Sequence, residues 1–463
     1  MAQTDIDDAP LRASFSLSGV FDRLRGLLRG DGDHAVTTRV AGAAYVIRVA
    51  SAGAVYFSQV VLARWMGNVE FGIYVYVWTW VLLAADVIHL GLPLAAQRLI
   101  PAYKAANDDD RLRAFLFGSW RVVLALALAG AALAALLVTV LKPYLPAAEI
   151  VPLYLACLAL PFVSICIQLD GIARSYNWIG LALAPHYFWR PFLIVALVGI
   201  AIAAGFAADA VTVMTVIVIA AAAIALVHLV LLMRRLAGVV ARGARRYEIR
   251  SWLATSTPMI LVWGFYTLLT YTDIIMLQQF RPPQDVAHYY GAARTLMMVS
   301  FVAFSVGAAA AHRFSSFHLA GDHEGLADFA ARTVRWTFWP SLFATVAILA
   351  LGWPLLRLFG PDFVGAYPAM FVLALGPLAR ASVGPAERLL TMAGSQRACA
   401  LVYAAAFTVN LVGCAILIPA IGILGAAAAT AAAMVFESAA LYVVVRRRLG
   451  IHAFVFSRGA GGR

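Results

Sequence analysis

The chain has 463 residues, of which 63% are hydrophobic and only 13% charged, with a net charge of +12. A soluble protein is near half apolar and a quarter charged, so a water-soluble body is excluded. The positive charge lies in loops between apolar runs, the topology pattern of a membrane protein and not of a nucleic-acid binder.

Residues 1–38 form a polar tail that lies outside the membrane. Within it, Leu11–Arg29 mixes Leu17, Val20, Phe21, Leu24, Leu27 and Leu28 with Arg23, Arg25 and Arg29. Two readings stay open: an amphipathic helix in the headgroup layer, or an irregular tail. The tail has no apolar core followed by a small-residue cleavage site, so no cleavable signal is expected.

A spanning helix needs about 20 apolar residues. Twelve spans are predicted, at about 40–64, 71–92, 114–141, 150–172, 179–205, 210–233, 254–279, 287–311, 331–357, 364–391, 396–419 and 422–445. The first two meet at a polar elbow carrying Gly67, Asn68 and Glu70. The second ends in a Gly-Leu-Pro break and a basic segment with Arg98 and Lys104. Pro161, Pro185, Pro191, Pro340, Pro377 and Pro385 interrupt apolar helices. The basic stretch 234–252 separates a six-helix bundle at 39–233 from another at 253–447, and 448–463 form a tail. Arg98, Lys104, Arg111, Arg113, Arg174, Arg234, Arg235 and Arg446 to Arg448 fall on one side, against Arg64, Lys142, Arg281 and Arg357 on the other. Lys and Arg favour the cytoplasmic side, so both termini are expected there. Cys157, Cys166, Cys399 and Cys414 lie in apolar runs and are expected to be reduced. No metal or cofactor motif is present.

The two bundles repeat. At a shift of 215 residues Leu62 meets Leu277, Glu70 meets Asp285, Tyr74 meets Tyr289, Arg98 meets Arg313 and Pro146 meets Pro361. One further residue brings Pro161 onto Pro377. Six helices separate the copies, so both have one orientation. Such parallel repeats are a transporter device, with the substrate between them.

Charges within spans usually face a cavity or a partner. Arg48 and Gln59, eleven residues apart, share a helix face flanked by Tyr45, Ser51, Tyr56 and Ser58. A phosphate-gripping lumen wall is one reading; an Arg reaching for the headgroups is the other. Arg294 aligns with Ser305 and His312, and Tyr290 lies beside that line. Asp273 shares a face with Tyr266 and Thr270 and lies at the depth of Arg294. An ion pair between them is expected, either as scaffold or as a pair that diphosphate or a proton breaks. At the repeat positions Arg48 meets Trp263, Asp273 meets Ser58 and Arg294 meets Thr79, so the scaffold itself requires no charge there. His186 and Arg190 are four apart on one face. Asp86 and His89 lie near the end of the second span. Arg380 and Glu387 are seven apart, too far to pair directly. Glu437 stands alone in the twelfth span, as a neutral carboxyl or a coupling site. Asp170 and Arg174 have structural pair spacing.

The stretches LARWMGNVEFGIYVY (Leu62–Tyr76), GLPLAAQRLIPAY (Gly91–Tyr103) and Gly394 to Thr430, with Asn410, Ile418-Pro419 and Gly422, resemble the multidrug/oligosaccharidyl-lipid/polysaccharide (MOP) flippase superfamily. Its polysaccharide-exporter branch, which includes O-antigen flippases, is the nearest resemblance. One position departs: His312 stands where such proteins often carry Pro, before Arg313-Phe314-Ser315. The resemblance implies an all-α polytopic membrane protein of about twelve helices, in two six-helix bundles around a central cavity that opens alternately inward and outward. It implies a polyprenyl-diphosphate-linked oligosaccharide as cargo, moved across the bacterial inner membrane for lipopolysaccharide or exopolysaccharide assembly. Membrane lipids surround the protein, and a glycan polymerase and export machinery are conceivable partners of a monomer; no nucleic acid is expected.

Substrate contact is expected from Tyr45, Arg48, Tyr56, Gln59, Arg190, Tyr266 and Arg294, and coupling or gating from Asp86, Asp273, Glu387 and Glu437. A cation-coupled multidrug exporter is the alternative; it would favour an acidic pocket, whereas Arg48, Arg190, Arg294 and Arg380 outnumber the midplane acids. A membrane glycan-modifying enzyme is a third reading. It lacks a long outer loop or a surface carboxylate pair, so no catalytic residue is assigned.

Overall fold

The structure, a computed structural model, describes residues 33–241, 243–300, 306, 310, 317, 323–392 and 394–457, with side chains from Ser51 onward except at 258, 323 and 392. The tail helix expected at Leu11–Arg29, His312 and Arg313 lie outside the described residues. Residues 1–49 form one unit, whose described part is helical backbone from Asp33; the remainder, 50–463, is one body.

The described residues are helical and contain no strand. Helix α1 (Asp33–Ile88) holds the first two predicted spans in one element, bent at Gly67. Gly67 has φ 74°, a left-handed value that only glycine adopts cheaply. After a second left-handed break at Leu90 and Gly91 comes α2 (Leu92–Ala105). Then follow α3 (Asp109–Leu141), α4 (Ala147–Ser175) and α5 (Ile179–Leu183). A π-helical turn, Ala184–Trp189, leads into α6 (Arg190–Ala203) and α7 (Ala210–Ala237). Next come α8 (Ile249–Phe280), α9 (Pro283–Met297), α10 (His323–Ala350) and α11 (Gly352–Phe359). A 3-10 turn at Pro361–Ala366 precedes α12 (Tyr367–Val383), α13 (Ala386–Met392), α14 (Gln396–Ile421) and α15 (Ile423–Leu449).

Among the described residues nine helices are long and apolar enough to cross a membrane, or ten if the bent pair α10–α11 counts as one. Two things separate this count from twelve. The first two predicted spans are one bent helix, and the eighth is described only as Pro283–Met297. Three predicted spans are also not straight. The ninth bends by 62° between Ala350 and Gly352. The tenth breaks at Gly384-Pro385, where Gly384 has φ 59°. The fifth is not a continuous α-helix: Pro185 and Pro191 each remove an amide donor, and the turn between them widens to π. The chain is thus a multi-pass membrane protein.

The core is apolar and contains few charges, as a body without water requires. Helices α2, α3, α4 and α7 pack on one another; α8, α12, α14 and α15 do the same, and α2 crosses onto α8. At the elbow end the repeats meet closely. Gly72 lies against the Pro283 backbone, where any Cβ would collide with the Pro283 carbonyl. Phe71 contacts Tyr290, Phe359 and Phe363, and Tyr56 meets Phe359 edge-on. Arg64 donates to the carbonyls of Leu358 and Arg357, both at 2.6 Å, and Asn68 donates to Asp362 at 3.3 Å. At the opposite end the basic stretch after α7 is docked. Arg113 of α3 donates to the Ala244 and Ala241 carbonyls, and Arg111 bonds Glu248 at 3.0 Å. The register of the repeat has structural counterparts: Leu62 and Leu277 are buried, as are Tyr74 and Tyr289, and Pro161 and Pro377 both lie inside helices.

Candidate functional site

Between the aromatic seal and the basic end, a chain of polar groups joins α1 to α9. Gln59 donates to the Tyr74 hydroxyl at 3.2 Å, and Tyr290 donates to the other atom of the same amide, Oε1, at 3.4 Å. Arg294 donates through Nε to Tyr290 at 2.8 Å and sits 5.1 Å from its ring centre. One turn away, the hydroxyls of Tyr56 and Thr295 lie 3.2 Å apart. From the other side Arg190 projects off the π turn, 5.2 Å from the Trp78 ring centre. Both guanidiniums act electrostatically on Tyr74 and on Tyr271. Arg190 and Arg294 therefore converge on the same two tyrosines from different repeats. Both are only half-buried, and neither is in an ion pair with a carboxylate among the described residues. An uncompensated guanidinium within an apolar body is costly unless it faces water or an anion. The cluster is therefore suited chemically to bind an anion, and a guanidinium forks onto phosphate oxygens with good geometry.

The acids are arranged differently. Asp273 and Arg294 do not pair among the described residues, contrary to expectation from their matched depth. Asp273 instead accepts from Tyr289 at 2.5 Å, from Thr430 at 3.2 Å and from the Ile274 amide at 2.8 Å. Matched depth does not determine which way a side chain turns; Asp273 bonds Tyr289 of α9 and Thr430 of α15, and Arg294 bonds Tyr290 on its own helix. Nor does Glu437 stand alone. Its carboxylate takes a two-pronged bond from Arg380, at 2.6 Å to Nη2 and 3.1 Å to Nε. The Glu437 side chain is 3% exposed and Arg380 30%, so the pair is largely withdrawn from solvent. Glu387 accepts from Tyr403 at 2.8 Å, and Tyr266 packs against both Tyr403 and Arg380. Tyr266 thus belongs to this second network, not to the Arg190–Arg294 cluster. Asp86 lies 3.7 Å from His89 and accepts from Thr267 at 3.4 Å. Asp170 and Arg174 form the expected pair, at 2.7 and 2.8 Å.

Of the predicted substrate residues, Gln59, Arg190, Arg294 and Tyr56 come together. Tyr45 and Arg48 lie in the helical stretch whose side chains are outside those described. Trp78 and Tyr271 were not singled out from the sequence, and Tyr74 was noted only for its place in the repeat. Fifteen residues of straight helix would hold it about 22 Å from Gln59, so their 3.2 Å bond depends on the break at Gly67 between them.

The polysaccharide biosynthesis protein family matches residues 41–318, more than half of the chain. This chain belongs to that family. A second family, MatE, matches residues 258–416. No curated relative matches the chain. Among solved structures it resembles an inward-facing multidrug resistance MATE family transporter of the MOP superfamily, at 12% identity over 88% of this chain and 98% of that one, with a TM-score of 0.71. It also resembles the lipid II flippase MurJ in an inward closed conformation, at 14% identity over 87% of each chain and a TM-score of 0.68. A MOP superfamily transporter from Pyrococcus furiosus, whose binding pocket is described as having reversed polarity, matches at 13% identity over 92% of this chain and 97% of that one, with a TM-score of 0.66. At these identities the likeness establishes the fold. Family and fold together make the chain a MOP-superfamily transporter or flippase.

Proposed function

We propose that the protein is a flippase that moves a polyprenyl-diphosphate-linked oligosaccharide across the bacterial inner membrane by alternating access. Both termini lie in the cytoplasm, and the elbow end faces outward. The observation that supports this reading is that Arg190 and Arg294 both act on Tyr74 and Tyr271, while neither is in an ion pair with a carboxylate among the described residues. Two guanidiniums suit a diphosphate, and the aromatic and amide groups beside them suit sugar rings. The lipid tail stays in the bilayer. Arg48 and Tyr45 stay in the proposal as substrate contacts on the strength of the sequence alone. No bond is made or broken, so no catalytic group is needed. The cargo links the protein to glycan polymerases and export machinery at the cell surface.

Coupling or gating falls to the four acids. Each is held by a helix other than its own: Asp86 by α8, Asp273 by α9 and α15, Glu387 by α14, and Glu437 by α12. Helices that shift against each other must carry or break these bonds. Organic-cation export is the competing reading. It draws on the MATE-like fold and on Asp86, a carboxylate that acts electrostatically on Tyr271 as Arg294 does.

The deciding experiment uses purified protein in liposomes, with a fluorescent polyprenyl-diphosphate oligosaccharide and, separately, a cationic dye. The expected result is flipping of the lipid-linked sugar, lost by at least tenfold in Arg190→Ala and in Arg294→Ala. Dye transport without lipid flipping would establish the competing reading.

A further inference from the structure

The fifth predicted span carries a cluster that this account of the arginines does not use. The π turn Ala184–Trp189 presents His186 beside Arg190, with Nδ1 of the imidazole 3.4 Å from a guanidinium nitrogen. Arginine has no acceptor, so His186 must accept at Nδ1, which makes the ring neutral with its proton on Nε2. Helix α7 packs on this turn. It brings His228, which is fully buried and has no partner for either ring nitrogen among the described residues. Helix α4 contributes Cys166 and the Asp170–Arg174 pair; α1 contributes Tyr74 and Trp78, α8 contributes Tyr271, and the turn itself Tyr187. The charged and titratable groups acting most on His186 are Arg190, His228 and Arg174, all cationic or neutral. Of the carboxylates in this region, Asp170 is bonded twice to Arg174, and Asp86, which acts on Tyr271, lies beside His89 and accepts from Thr267.

We propose that His186 takes up a proton as Arg190 engages the diphosphate, so that anion and proton bind together. The proposal rests on the reading of Arg190 given above and adds the linkage. Without an anion, a protonated His186 would lose its bond from Arg190 and face like charge at van der Waals range. A diphosphate turns that balance around. Arg190 swings onto phosphate oxygens, His186 is released from accepting, and a second cationic donor then meets the remaining negative charge. Residues 186 and 190 are about one turn apart on one face, which sets the imidazole and the guanidinium side by side. The proton comes from solvent through the half-buried side of the cluster, and no covalent bond changes. His228 sits behind His186 as a neutral neighbour.

The test is binding of a short-chain polyprenyl diphosphate to the full-length protein in nanodiscs from pH 5.5 to 8.5, with inorganic diphosphate as a separate probe. One linked proton weakens binding by up to roughly tenfold per pH unit as pH rises. Calorimetry of the wild-type protein, in two buffers of different ionisation heat, should register uptake of up to about one proton per protein. The probe titrates identically with either protein, so the difference in slope between wild type and His186→Gln isolates the protein's proton. The slope, not the absolute affinity, is the readout, and the variant's slope is expected to be shallower. Equal slopes, or wild-type binding without proton uptake, would overturn the linkage while leaving the flippase reading intact. No binding of the lipid at any pH would overturn both. A His186-dependent slope seen with inorganic diphosphate alone would overturn the proposal for a lipid-borne anion.

Discussion

Tyr74 and Tyr289 occupy the same register position in the two repeats, and both are buried on the helix after the elbow. Their chemistry differs. Tyr74 accepts from a neutral amide, Gln59, and lies within the field of two arginines. Tyr289 donates to a carboxylate, Asp273, fixed by Thr430 and a backbone amide. The second repeat goes on in the same way: Arg380 is matched by Glu437, and Tyr403 serves Glu387. Apart from Arg294, the interior charges named here in this repeat are matched within it. Around Tyr74 the charge is left open, on Arg190 and on Arg294, which reaches across from α9. One scaffold position therefore sits in two electrostatic settings, and the difference is set by whether a carboxylate bonds the tyrosine.

The largest expected effect breaks the closed side. Arg380→Ala leaves Glu437 buried without its partner, which should cost about 3–5 kcal/mol. Unfolding of the detergent-solubilised protein measures it, and the double change Arg380→Leu with Glu437→Leu should recover most of the loss. If the single variant is as stable as wild type, the second repeat is not the internally balanced half described here. By contrast Arg190→Ala should leave stability nearly unchanged, because among the described residues no carboxylate pairs with it.

A finer comparison uses the two tyrosines. Tyr289→Phe removes a donor from a buried carboxylate, at a cost of about 1.5–3 kcal/mol. Tyr74→Phe removes only an acceptor from a neutral amide, at about 0.5–1.5 kcal/mol. Lipid binding should respond in the reverse order, falling more in Tyr74→Phe. Equal effects in both assays would mean that the repeats share one role at this position.

Much of this was legible in the chain. Gly67, Gly91 and Pro385 announced breaks, because glycine and proline act on the backbone locally. Gln59, Arg190 and Arg294 announced themselves as polar groups on apolar faces. What could not be read was the partner. Arg380 and Glu437 are 57 residues apart, and Asp273 and Thr430 are 157 apart. Sequence fixes a residue's depth and its angle on its own helix, but not which helix stands opposite. That is why Asp273 was matched to Arg294 when its bonds run to Tyr289 and Thr430. The π turn was hidden for a related reason: two prolines six residues apart fit a kink as well as a widened turn.

The smallest effect concerns the elbow end, where the repeats touch through surface groups. Arg64 caps the carbonyls at the end of α11, and Asn68 reaches Asp362. These bonds are exposed, so Arg64→Ala should shift the balance of open and closed forms by only about 0.5–1 kcal/mol, roughly two- to fivefold. Spin labels on the two sides of the elbow would record more of the long-distance population. The seal itself is carried by Phe71, Tyr290, Phe359 and Phe363 and by the backbone contact of Gly72 with Pro283. A cysteine pair in place of Asn68 and Asp362 sharpens the point. Once oxidised, it should hold this end shut and stop flipping, while lipid diphosphate still binds at Arg190 and Arg294. Flipping that survives full crosslinking would mean that this end does not open during transport.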